Sequence, residues 1–452
     1  MKTNIKNVFL NKISVLIFLS AAALLLTAFL YFCFLKAVGG YSNLDDFISG
    51  YSIWTNLNKH IDLLIPYIYS FVFFALYIPL RRFIEKLPFF VFFWQNFISR
   101  AINKAASFFL WKNEKLPFWK KAVLLFSAVF IVYLLASSGY NYLSIPPDHF
   151  HFGEKLLAYW LTADGAAQMY ETFYPIHGFK DIIPGFLSKF LGDNYASGSI
   201  IGMQILYNIC LIGVSLTVLS IFPFFMSLII LLPLSFIKAL PFIAMIVLFK
   251  DNFAFRAYPK WLILYCIFGI CLYCFEFTSG IPFTLAMLPL CIYGLFNYYK
   301  TVPQKKFFLN IGVIFLLLLL FFIIFKDFFL NNFKFILDFA KYNTAAFGNL
   351  GHDESRNLPL YVLILVSKLA YKSPVYFLLP IFAILFIKSL KNKEMSAAFF
   401  FAAMTIYLAA STSYALARFD LEMGRAQNIS MCFIYLLIPA CLYFNRRHGG
   451  GG

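Results

Sequence analysis

Charge is scarce in this sequence. Asp, Glu, Lys and Arg make up 13% of 452 residues, hydrophobic residues make up 62%, and 20 acidic residues face 37 basic ones. Such a composition excludes an ordinary soluble domain, which needs a far more polar surface. Strict polar–apolar alternation is missing too. Apolar residues come in solid blocks of about 20, the length of a membrane-crossing helix, and this excludes a β-barrel. Metal-site cysteine spacing is also absent. The eight cysteines, Cys33, Cys210, Cys266, Cys271, Cys274, Cys291, Cys432 and Cys441, fall within apolar segments. Cys271 and Cys274 have a CxxC-like spacing but lie inside an expected span, so all eight read as small buried hydrophobes and no disulfide framework is expected. No low-complexity tract, clear repeat or polar stretch longer than residues 141–199 occurs, so any chemistry must be built from loops and span ends.

What is present implies an all-α polytopic membrane protein. About 10–12 transmembrane helices are expected, with short amphipathic or re-entrant helices in the external loops. Candidate spans lie at 13–38, 62–81, 121–140, 200–222, 224–237, 239–250, 261–277, 281–298, 307–325, 372–390, 396–415 and 427–444. Pro223, Pro233 and Pro241 cut the region 200–250 into pieces partly too short to cross. The first block follows a basic stretch like a signal peptide, but it is too long for one and reads as a retained span. The expected organisation is one transmembrane domain over 1–452, an external catalytic loop at 141–199 and a second external loop at 326–358.

The net charge of +17 does not imply nucleic-acid binding, because the basic residues sit in short links between spans. The link 81–121 carries Arg81, Arg82, Lys86, Arg100, Lys104, Lys112, Lys115, Lys120 and Lys121 against Glu85 and Glu114. It is expected to be cytoplasmic, as are both termini. Sixty phenylalanines, with heavy use of Ile, Lys and Asn, suit an AT-rich bacterial genome and hence a bacterial cytoplasmic (inner) membrane. The dense polar clusters then fall on the outer side, apart from KDNFAFR at 250–256.

Three of these clusters could carry chemistry. In PPDHFHFGE, two prolines and an acid suit a helix start, and Asp148, His151 and Glu154 follow one another at i,i+3. Next to them lie His149 and an interfacial LLAYWL segment; the plain alternative is a capped helix with solvated charges. In ETFYPIHGFKD, Tyr174, His177, Lys180 and Asp181 occupy a Gly/Pro turn among aromatics, an arrangement suited to holding a sugar ring. In TSYALARFDLEMGRAQNIS, Arg418, Glu422, Arg425 and Asn428 share a helical stripe. Its two arginines suit a phosphate, although a structural salt-bridge stripe would look the same. Glu276 in CFEFTSG reads as structural, and His352, Asp353, Glu354 and Arg356 as a solvated loop over the site.

The Asp148 motif in the first sizeable external loop, the YPIHG segment and the RFDLEMGRA segment together resemble the GT-C superfamily of membrane glycosyltransferases. The layout resembles the family along the whole chain, the motifs along a small part of it. Asp-His-Phe-His stands where a DxD or DE pattern is more familiar. The resemblance implies a polyprenyl-phosphate-linked sugar donor, a glycan, lipid or protein acceptor, and inversion at the anomeric carbon in the lipid bilayer. On that reading Asp148 is the general base and Arg418 and Arg425 bind the donor phosphate. His149, His151, Glu154, Tyr174, His177, Lys180 and Asp181 bind substrate hydroxyls or tune Asp148. No cofactor is required; a divalent metal on His149, His151, Glu154 and His177 stays open. The alternatives are an O-antigen ligase or polymerase, an acyltransferase using His149 or His151, and a lipid-linked sugar transporter or flippase.

Overall fold

The computed structural model describes residues 2–37, 65–84, 117–137, 170–189 apart from 174 and 176, 195–222, 224–231, 236–250, 253–346, 358–415 and 424–437, with a few single residues besides. Every regular element among them is a helix, and seven helices are long and apolar enough to cross a membrane. The protein is an all-α polytopic membrane protein. Hydrocarbon offers no partner for a peptide group, so a spanning chain must satisfy its N–H and C=O groups within the helix itself.

The chain divides into two compact units. The first contains α1 (Lys2–Ala37) and α2 (Ile65–Ile84), which pack together. Ser20 bonds Tyr69 there, and Tyr69 meets Phe377 edge-on at 4.8 Å between ring centroids.

The second unit carries α3 (Phe118–Ser137), α4 (Ile183–Lys189), α5 (Tyr195–Ile221), α6 (Phe224–Leu231) and α7 (Phe236–Phe249). At 1.5 Å per residue, α6 is about 12 Å long and α7 about 21 Å, both short of a bilayer core of about 30 Å. Short pieces are thus present between 200 and 250 as expected, but Pro241 does not cut the chain: it lies inside α7, which runs unbroken across the boundary expected near 238. After the one-turn helix Phe253–Arg256 come α8 (Tyr258–Phe275), α9 (Phe277–Thr301), α10 (Gln304–Ile324) and α11 (Lys326–Ala346). Residues 326–346, expected as loop, are therefore helical.

The remaining helices divide between the units. The first unit includes α12 (Leu358–Lys372), a 3-10 turn at Pro374–Leu378 and α13 (Leu379–Lys391). Most of α14 (Met395–Ala415) belongs to the second unit, and α15 (Gly424–Cys432) runs into a π turn at Phe433–Leu437.

The α8–α9 hairpin is the core of the second unit. Trp261 is fully buried between Tyr258 and Tyr265, with ring centroids 5.9 and 5.5 Å away. Each polar end finds a backbone acceptor: Trp261 Nε1 donates to Leu248 O, Tyr258 OH to Cys291 O and Tyr265 OH to Thr284 O. Aromatic bulk is thus buried without an unsatisfied donor, as an apolar medium requires. Phe242 extends the core to Tyr407 and Phe433, at 4.8 and 5.1 Å.

Candidate functional site

The tip of the α8–α9 hairpin is a single residue, Glu276. Its backbone is extended (φ −155°, ψ 95°), which breaks the helix, yet every backbone group stays partnered. Its N–H donates to Leu272 O at 2.9 Å, and its carbonyl accepts from the N–H groups of Ser279 and Gly280. Gly280 is needed at this crossing, because a Cβ there would run into the Tyr273 backbone. The tight reversal leaves the Glu276 side chain facing inward, where the residue is 1% exposed.

Two lysines from distant segments meet that carboxylate. Lys180 Nζ donates to Oε1 at 2.9 Å, and Lys238, in the first turn of α7, donates to the same oxygen. Ser279 Oγ donates to Oε2 at 3.0 Å. Burial alone pushes the Glu276 carboxyl up. Lys238 and then Lys180, through charge and hydrogen bonds, more than reverse this and hold it well below the usual carboxylate range. Removing three charges from water costs several kcal/mol per ion in rough terms, and apolar residues of similar volume often serve stability as well. Stability alone therefore does not account for the cluster.

Lys180 arrives on a 3-10 turn, Gly178–Asp181, held in place by its own side chains. Asp181 is buried and accepts the His177 backbone N–H at 3.0 Å, while His177 Nδ1 lies 3.1 and 3.0 Å from its two carboxylate oxygens. With Nδ1–H donating to the carboxylate, the ring is oriented and Nε2 points the other way. Gly178 has φ +86°, and a Cβ there would sit 2.6 Å from Cys274 O and 3.1 Å from Phe275 O. Only glycine lets the turn lie directly on the end of α8.

The opposite side of the loop is clamped by α11. Tyr170, itself at φ 62°, is buried with its ring 5.3 Å from Phe328 and 5.8 Å from Phe335. Phe179 stacks on Phe328 at 5.7 Å, and Tyr273 OH donates to the buried Asn332 Oδ1 at 2.6 Å. The result is a buried charge cluster inside an aromatic frame. It can balance an anion against two ammonium groups and move a proton at an oriented imidazole.

Of the residues singled out in the sequence, His177, Lys180 and Asp181 share this turn, and Lys180 reaches Glu276. Asp148, His149, His151, Glu154, Tyr174 and Arg418 lie outside the described residues. So do Glu422 and the 352–356 cluster. Arg425, in the first unit, stands over the Tyr414 ring at 4.6 Å. Among the described residues no group of three His, Cys, Asp or Glu is placed to hold a metal ion, and three of the four alternative ligands are outside them. Sequence reasoning missed Lys238. Its signal was a lone lysine in an apolar run, SFIKALPFIAM, and an ionisable residue in such a setting usually has a partner. Comparison with protein families, curated proteins and solved structures finds no match for this chain.

Proposed function

We propose that the protein is a membrane glycosyltransferase. It would move a sugar from a polyprenyl-phosphate donor to a glycolipid, surface polysaccharide or protein acceptor on the outer face of a bacterial cytoplasmic membrane. Both termini are then cytoplasmic. The observation that carries this reading is the meeting of two ammonium groups, a buried carboxylate and an Asp-oriented imidazole at the end of a helical hairpin. A lipid-linked sugar phosphate has its charge at that level, just outside the hydrocarbon. A transporter would instead favour ionisable groups near the bilayer midplane.

In this mechanism an acceptor hydroxyl attacks the anomeric carbon and its proton passes to Asp148. The bond from that carbon to the phosphate oxygen breaks, and the lipid phosphate leaves with the electron pair. Lys180 and Lys238 offset the charge developing on that oxygen, with Glu276 holding both at the required spacing. The alternative phosphate-binding set is Arg418 and Arg425, in the first unit. His149, His151, Glu154, Tyr174, His177 and Asp181 orient the sugar and acceptor hydroxyls.

The test uses purified protein, a labelled polyprenyl-phosphate sugar and a membrane-glycan acceptor. Release of polyprenyl phosphate should require the acceptor. It should fall roughly 10- to 100-fold in Lys180→Met, since one charge-assisted contact is worth about 1.5–3 kcal/mol. Acceptor-dependent release that is unaltered by Lys180→Met would remove the lysines from the mechanism. No release with any sugar offered would remove the reaction itself.

A further inference from the structure

Among the described residues none covers the outer face of α11, although its inner face frames the site. Leu330, Phe333 and Leu337 are 56%, 57% and 55% exposed and follow at i, i+3 and i+7, which puts them on one stripe. Phe328, Asn332 and Phe335, on the opposite stripe, hold Tyr170, Phe179, Tyr273 and Phe277. Asp327, Lys334 and Asp338, all exposed, share one flank and the other flank carries Phe329 and Ile336, while the exposed Lys326 stands in line with the apolar stripe at the helix's first residue, where its long side chain can reach water. A helix divided this way fits three surroundings at once: protein behind, lipid in front and water along one edge.

The preceding span supplies the occupant. α10 is almost entirely apolar, and only Phe307 and Ile314 along it are buried, so its surface faces acyl chains. Its 21 residues span about 31 Å at 1.5 Å per residue, enough for the whole hydrocarbon core. Phe325 alone separates it from α11, whose first residue is Lys326. One residue advances the chain by only about 3.8 Å, so α11 starts where the chain leaves the bilayer.

We infer that α11 is an interfacial helix. Leu330, Phe333 and Leu337 lie in the headgroup–acyl boundary of the surrounding bilayer, and the lipid seat braces α11 against the loop 170–181. The exposed charges are of both signs, so the apolar stripe makes the attachment and anionic lipid is not required. The inference rests on packing and topology and holds whichever reaction the site performs.

The test places the photoreactive residue p-benzoylphenylalanine at 330, 333 or 337 of the full chain in nanodiscs, with mass spectrometry of the adducts. Lipid adducts are expected at all three positions, with equal yield in phosphatidylcholine alone and with added phosphatidylglycerol. Cross-linked pairs of chains would assign the face to a second copy, and absence of adducts would assign it to water; either overturns the proposal. The brace is read by hydrogen exchange across 170–181. In a Leu330→Glu, Phe333→Glu, Leu337→Glu variant this exchange should accelerate at least about tenfold, corresponding to loss of one apolar anchor. Unchanged exchange would leave the helix in lipid without a brace and refute that half.

Discussion

Glu276 and Arg425 are both charged residues beside long apolar helices, and the protein accommodates them in opposite ways. Glu276 is fully buried, and its partners come from 96 and 38 positions away in sequence. Arg425 is half-buried and stacks on Tyr414 from the neighbouring stretch of its own unit. A buried carboxylate is a concentrated charge and must be matched by cations. A guanidinium spreads its charge over a plane and is content with an aromatic face and nearby water. The first solution needs three elements to meet; the second needs only one aromatic ring close by in sequence.

The largest effect expected from breaking this contrast is that of Glu276→Gln. It leaves two ammonium groups around a neutral amide and should cost roughly 3–5 kcal/mol, read as a lower melting temperature in detergent. The same pair of proteins sharpens the point with pH. The folded-state pKa of Glu276 lies below its unfolded value of about 4.3, so its stabilisation is complete above that value and is lost as pH falls through the folded pKa. The gap in melting temperature between parent and variant should therefore close on acidification below about pH 4. A gap independent of pH would mean that packing, not charge, is what the substitution removes.

A companion variant replaces all three charges, as Lys180→Met, Lys238→Met and Glu276→Leu. Its stability should stay within about 1–2 kcal/mol of the parent, because apolar residues fill a charge cluster well, while transfer is lost. Retained transfer would make the cluster purely structural. Gly178→Ala comes next, at about 1–3 kcal/mol, from the left-handed backbone together with the close Cys274 carbonyl. Thermal melting and the donor-release rate should fall together, since the turn carries Lys180. The smallest effect expected is that of Arg425→Ala, about 0.5–1 kcal/mol for a half-exposed cation–π contact. A drop in donor release of tenfold or more at unchanged melting temperature would move Arg425 from stacking to the phosphate grip.

Much of the fold was legible in the sequence. The expected span 62–81 appears as Ile65–Ile84, 307–325 as Gln304–Ile324 and 396–415 as Met395–Ala415. The shared turn of His177, Lys180 and Asp181 was legible from its Gly and Pro. Two helices were not, α11 and α12. In α11 the apolar residues are diluted by charges, of which Asp327, Lys334 and Asp338 are sorted onto one flank only by the helix axis. Glu276 read as structural because its sequence neighbours are apolar, and they say nothing of Lys180 or Lys238.

Composition by itself determined that this chain lives in a bilayer as helices, because apolar blocks of span length leave the backbone no other way to satisfy its hydrogen bonds in hydrocarbon. Tertiary structure alone decided which charges meet. A lysine in a turn, a lysine at a helix start and a glutamate at a hairpin tip carry no sign of one another along the chain. They become a site only because the low dielectric around Glu276 makes an unpaired carboxylate too costly for the helices to pack any other way.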